Sequence, residues 1–131
     1  PCQFVLHSKT KKLGILTDLG SITPFVIQSY RNCDAIVLEF NHDTQMLADS
    51  VYPEALKRRV GGNWGHLNNN QATQFLTQVE TKDCQHLVIA HLSDKNNSPT
   101  IAMAALAKNT DMSGRAQVAD QDQGFSWLEI N

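Results

Sequence analysis

Apolar positions along the chain fall into two kinds of run. Short β-rich runs occur at Gln3–His7 and Leu13–Thr17, separated by the polar turn Ser8–Lys12, and this pair predicts an antiparallel hairpin. A third run, Asp34-Ala35-Ile36-Val37-Leu38-Glu39-Phe40, predicts a buried strand. His86–Ala90 predicts a fourth strand and Ala116–Ala119 a short last one. Between the strands the spacing becomes helical. Thr23-Pro24 is a helix start, with Thr as cap and Pro in the first turn, running to about Arg31. Two short helical pieces follow at Thr44–Ala48 and Pro53–Val60. Asn68–Asn70 caps a helix in which Ala72, Phe75, Leu76 and Val79 share a face, and Ser98-Pro99 opens another with Ala102, Ala105 and Leu106 inward. Strands alternating with helices after an initial hairpin give an α/β layer. No internal repeat, low-complexity tract or linker interrupts it.

Composition narrows the class. With 131 residues, 41% hydrophobic and 18% charged, the chain suits one domain over residues 1–131 and is not a disordered segment. A net charge of −2 advertises no general nucleic-acid affinity, although basic groups can be confined to a small patch. Three cysteines, Cys2, Cys33 and Cys84, have no paired or metal-binding spacing, which fits reduced thiols and a cytoplasmic location. No apolar run approaches the ~20 residues of a membrane span. The start Pro1-Cys2-Gln3-Phe4 does not read as a signal peptide and lacks a methionine, so the chain is expected to come from inside something longer.

The candidate chemistry sits at strand ends. Leu13–Thr17 runs into Asp18 and a glycine turn, the third strand into Asn41-His42-Asp43, and the fourth into His91. Parallel strands bring their carboxyl ends to one edge, so Asp18, His42, Asp43 and His91 can converge there, with His66 delivered by the loop Gly61-Gly62-Asn63-Trp64-Gly65. Imidazoles with a carboxylate suit zinc, manganese or iron(II). The alternative for each group alone is a hydrogen-bonded loop residue, and for Asp18 a turn former. Lys57-Arg58-Arg59 is either a solvated helix face or a basic group near a substrate phosphate. Trp64 is expected to pin its loop, Cys33 and Cys84 to be structural, and His7 and His86 to face solvent.

The strings Leu16-Thr17-Asp18-Leu19-Gly20-Ser21, Leu38-Glu39-Phe40-Asn41-His42-Asp43, Leu56-Lys57-Arg58-Arg59-Val60 with Gly65-His66-Leu67, Ala90-His91-Leu92-Ser93 with Asn96-Asn97, and Gln117-Val118-Ala119-Asp120-Gln121 occur in that order. Together they resemble the metallo-β-lactamase-fold hydrolases of the YycJ/WalJ type, bacterial proteins similar to phosphodiesterases and 5′-exonucleases. The resemblance covers only the second half of that fold, an αββα sandwich with a dinuclear site at the edge shared by its halves. It implies one β-sheet layer with flanking helices, half of the sandwich. It implies Asp18 as the aspartate bridging two divalent ions, zinc or manganese, and His91 as the last histidine ligand. His42, Asp43 and His66 fall at catalytic-site positions, and Arg58 is the candidate for substrate phosphate. Asn68 stands where serine commonly follows the Gly-His-Leu triplet.

The resemblance also implies a division of labour. The His-x-His-x-Asp-His cluster of the first half is absent, and one Asp with one His cannot hold two ions, since a catalytic zinc takes about three protein ligands. The chain alone is expected to be inactive, completing a nucleic-acid or phosphodiester hydrolase together with an N-terminal half. The alternative is a non-catalytic subdomain that works by homodimerisation or partner binding through an exposed sheet face.

Overall fold

The computed structural model describes residues 2–131. Its elements follow the predicted order: β1 (Phe4–Ser8), β2 (Lys11–Leu16), α1 (Pro24–Tyr30), β3 (Ala35–Glu39), α2 (Thr44–Asp49), α3 (Glu54–Val60), α4 (Asn69–Gln78), β4 (His86–Ala90), α5 (Pro99–Asn109) and β5 (Ala116–Val118). The hairpin turn is tighter than the polar run suggested, because Lys11 and Lys12 already belong to β2 and Lys9 takes the left-handed conformation, φ 52°. A 3₁₀ turn over Met112–Arg115, unannounced by the sequence, leads into β5.

The helix starts are built as their residues dictate. Thr23 accepts from Val26 N–H and Ser98 from Ile101 N–H, each just before a proline. Asn68 makes a reciprocal capping box with Gln71, so this asparagine is a competent helix cap.

The strands form one five-stranded sheet in the order β1-β2-β3-β4-β5. β1 pairs antiparallel with β2, and β2 through β5 run parallel. Strands added one after another in one direction, each through a right-handed crossover, put their connecting helices on the same side. The burial agrees. Leu16, Ile36, Leu38, Leu87 and Ile89 form one wall of the core, packed with Tyr30 of α1, Phe75 and Leu76 of α4, and Ala102 and Leu106 of α5. Each fully buried leucine or phenylalanine there contributes on the order of 1.5–3 kcal/mol. Ala105, expected inward, is only partly buried, since Ala102 and Leu106 take the seam of α5.

The opposite face is also apolar. Leu13, Ala35, Val37 and Val88 line a groove there with Phe125, Trp127, Leu128 and Ile130 of the tail. Phe4 and Leu6, directly across from Ile15 and Leu13, extend it to the sheet edge at 55% and 52% exposure. Asn131 and Gln85 exchange hydrogen bonds of 2.9 and 2.7 Å, and the His86 ring donates to the Glu129 carbonyl at 2.8 Å. His86 is thus a tail clamp and not a free surface group.

Candidate metal centre

Four parallel strands end at one edge, and β3 lies between β2 and β4 there. Its last residue, Glu39, is a carboxylate at the end of an apolar run and is fully buried, at 0% exposure. An ionised carboxylate only accepts hydrogen bonds, so its partners must donate. Glu39 Oε1 accepts from His66 Nδ1 and from His91 Nδ1, both at 2.7 Å, and Oε2 accepts from Leu19 N–H at 3.2 Å. One buried charge therefore fixes the loops after β2 and β4 and the loop that carries His66.

Asp18 and His91 lie just past the ends of β2 and β4, on either side of β3, and both are left-handed at φ 57°. That conformation costs about 1–2 kcal/mol for a residue with a Cβ. It persists because neighbouring atoms are held: Asn41 Nδ2 donates to the His91 carbonyl at 3.2 Å, and Gln3 Oε1 accepts from Thr17 N–H at 3.0 Å. These bends turn both side chains toward each other, with Asp18 Oδ1 3.7 Å from His91 Nε2.

Glycine packing delivers His66. A Cβ on Gly65 would lie 2.1 Å from the Val60 carbonyl oxygen, and one on Gly20 would lie 2.5 Å from Gly65 N, so the loop seats against the Asp18 turn backbone to backbone. His66 Nδ1 is 3.7 Å from Asp18 Oδ1, and the His66 and His91 rings are 5.3 Å apart.

Asp18, Glu39, His66 and His91 each offer one ligand atom, all within 4.8 Å of one another, and could hold a divalent ion. The distances separate their roles. Two ligands about 2.1 Å from a tetrahedral ion stand about 3.4 Å apart. The 3.7 Å between Asp18 Oδ1 and His91 Nε2 fits such an edge, whereas the 2.7 Å from Glu39 to each imidazole is a hydrogen bond. With Nδ1–H given to Glu39, each histidine keeps a bare Nε2, the state a metal needs. The His91 pKa is raised above its ordinary value, chiefly by the hydrogen bond to Glu39, with both carboxylates adding to the effect against partial burial.

The other expected residues are not among these four. His42 is buried at 1% exposure, its ring against Asn41 Oδ1 at 3.3 Å and its carbonyl accepting from Asn69 N–H at 3.0 Å. The Asp43 carboxylate caps α2 by accepting from Gln45 and Met46 N–H. Arg58 is exposed on α3 and has no side-chain hydrogen bond or ion pair among the described residues. Trp64 does not pin its loop, since it is 98% exposed; the glycine backbone contacts do that instead. Cys33 and Cys84 are buried free thiols, the former with its pKa pushed up to about 11 by burial. Glu39 was not among the candidate site residues of the sequence. The available signal for Glu39 was a charge inside an apolar strand, which demands buried partners.

No protein-family model matches the chain. It is 31% identical over 114 residues to the exodeoxyribonuclease YycJ of Bacillus anthracis, a match covering 87% of this chain and 43% of that protein. The chain is a YycJ/WalJ-type relative. It is also 28% identical over 92 residues to the exodeoxyribonuclease WalJ of Streptococcus pneumoniae, covering 70% of this chain and 34% of that protein. It spans less than half the length of the curated relatives it matches. One mixed sheet with its helices packed on one face is consistent with half of a metallo-β-lactamase sandwich. No described helix is long and apolar enough to cross a membrane.

Two outcomes test the assignments. Glu39→Gln offers an amide that cannot satisfy Leu19 N–H and both imidazoles, so zinc affinity, read by competition with a chromophoric chelator, should fall about 10–100-fold. An unchanged affinity contradicts the orienting role. Burial pushes the His42 pKa below 6.5. The unfolded chain then takes up a proton that the folded chain refuses, so this part of stability is complete above about 6.5 and is lost as pH falls through the lowered pKa. Denaturant titrations should show a shallower acid loss in His42→Gln than in the native chain.

Proposed function

We propose that the chain contributes one side of the metal centre of a phosphodiester hydrolase acting on nucleic acid. The observation that carries this reading is the Asp18–His91 edge of 3.7 Å with Glu39 bound behind His91. The names of the YycJ and WalJ relatives support the substrate class. A divalent ion, zinc or manganese, supplies Lewis acidity toward a phosphoryl oxygen and lowers the pKa of water. Asp18 through its carboxylate and His91 through Nε2 are the residues that would hold such ions in a complete centre. His66, with Nδ1–H on Glu39, presents a bare Nε2 that can take up a proton and, as the imidazolium, give it to the leaving oxygen. His42 and Asp43 act in this reading as supports for the site loops, and Arg58 is available to an outlying phosphate.

Further ligands come, on this account, from the half of the sandwich that packs on the apolar face opposite the helices. That face equally suits the alternative, association without catalysis, whether as a homodimer or with another partner. The test is hydrolysis of bis(p-nitrophenyl) phosphate by the complete protein with manganese or zinc. Asp18→Ala should lower the rate at least about 100-fold, because it removes a ligand and not merely an outer partner. A rate equal to wild type contradicts the assignment.

A further inference from the structure

The cleft that holds the metal-ligating groups has a second wall that they do not use. It is lined by Asp18, Asn41, His66 and His91 on one side and by Tyr52 and Lys95 beyond them. We infer that Lys95, backed by Tyr52, holds a backbone phosphate of a nucleic-acid strand flanking the one at the metal centre. This rests on the phosphodiesterase reading and names the residue by which the cleft distinguishes a strand from a small diester.

Three observations carry it. First, Lys95 is the one lysine or arginine among the residues lining this cleft, which otherwise presents the carboxylates of Asp18 and Asp94. A polyanion entering past those carboxylates needs a cation on the wall. Second, the charge is unspent. Lys11, Arg31, Lys57 and Arg115 each reach a carboxylate within 3.8 Å, whereas Lys95 has none within ion-pair distance among the described residues. Its ammonium sits instead over the Tyr52 ring, 5.8 Å from the centroid, an arrangement that steadies the long side chain without neutralising it.

Third, the loop that carries it is fixed to the site. Ser93 N–H donates to the Asn41 carbonyl at 2.8 Å, Asn97 N–H to the Ser93 carbonyl at 3.0 Å, and Asp43 N–H to the Asn96 carbonyl at 2.8 Å. Lys95 is four residues past His91 in this clamped turn. The Cα atoms of the two are thus at most ~14 Å apart. That is no more than the axial rise of about four stacked nucleotides. A phosphate on Lys95 and another at the metal centre therefore fit one short strand. A diester without a second phosphate has nothing to offer Lys95.

The experiment reads binding and cleavage separately in the complete protein. Fluorescence anisotropy of a labelled single-stranded oligodeoxynucleotide, with EDTA present, measures binding without turnover. Lys95→Gln should weaken binding about tenfold and reduce the slope of log affinity against log salt by about 0.7. Lys95→Arg should restore both, and Tyr52→Leu should weaken binding about threefold. Hydrolysis of bis(p-nitrophenyl) phosphate should be the same in Lys95→Gln as in wild type. Unchanged oligonucleotide affinity and salt slope in Lys95→Gln would overturn the inference, as would an equal loss on the small diester. Lys95-dependent binding in a protein that cleaves neither substrate would support the inference and remove the proposed activity. Cleavage of the small diester without Lys95-dependent binding would do the reverse.

Discussion

A single buried carboxylate organises this edge of the sheet. Removing an ionised glutamate from water is expensive unless several donors replace the lost hydration. Glu39 has three: His66 Nδ1–H, His91 Nδ1–H and Leu19 N–H. They come from three separate connections, after β2, before α4 and after β4. The cost of burying Glu39 is therefore met only when all three loops are in place, which makes the site and the local fold one cooperative unit. The left-handed bends at Asp18 and His91 belong to the same unit, since relaxing either one would swing a side chain away from the centre.

Around that charge the chain uses backbone and amide contacts in place of further charges. Asn41 joins the loops at both N–H and C=O and through its side chain, reaching Leu67, Ser93 and His91. Asn69 and Asn97 bond each other reciprocally, and Asn97 also holds the Phe40 carbonyl. Asparagine suits this work because it gives and accepts hydrogen bonds while adding no net charge beside the candidate metal centre. The polar string Asn41-His42-Asp43, which looks catalytic in one dimension, is a clamp in three.

Much of the architecture was legible because its signals are local. Proline after Thr23 and Ser98, β-branched runs before Asp18 and His91, and the Ala72-Phe75-Leu76-Val79 spacing each fix an element without reference to the rest of the chain. Convergence of Asp18, His66 and His91 was legible through topology, since parallel strands share an edge. Glu39 was hidden by its neighbours, because a residue that completes an apolar strand reads as part of the strand until its partners are known. His42 and Asp43 were drawn to the centre by their place after β3, but the chain turns there into α2, and the Asp43 carboxylate is taken by the helix N-terminus. Trp64 looked like a pin because tryptophan usually buries area. The glycines around it let the backbone pack directly and leave the ring in solvent.

Glu39 sets the tautomers of two histidines and so exposes both Nε2 atoms to a ligand. Long-range proton–nitrogen correlation spectra of the imidazole rings measure this directly in metal-free protein, at a pH above the raised pKa of His91. His66 and His91 should both be the Nδ1–H tautomer, and that shared preference should be lost in Glu39→Gln. An Nε2–H tautomer at either histidine in the native protein would contradict it.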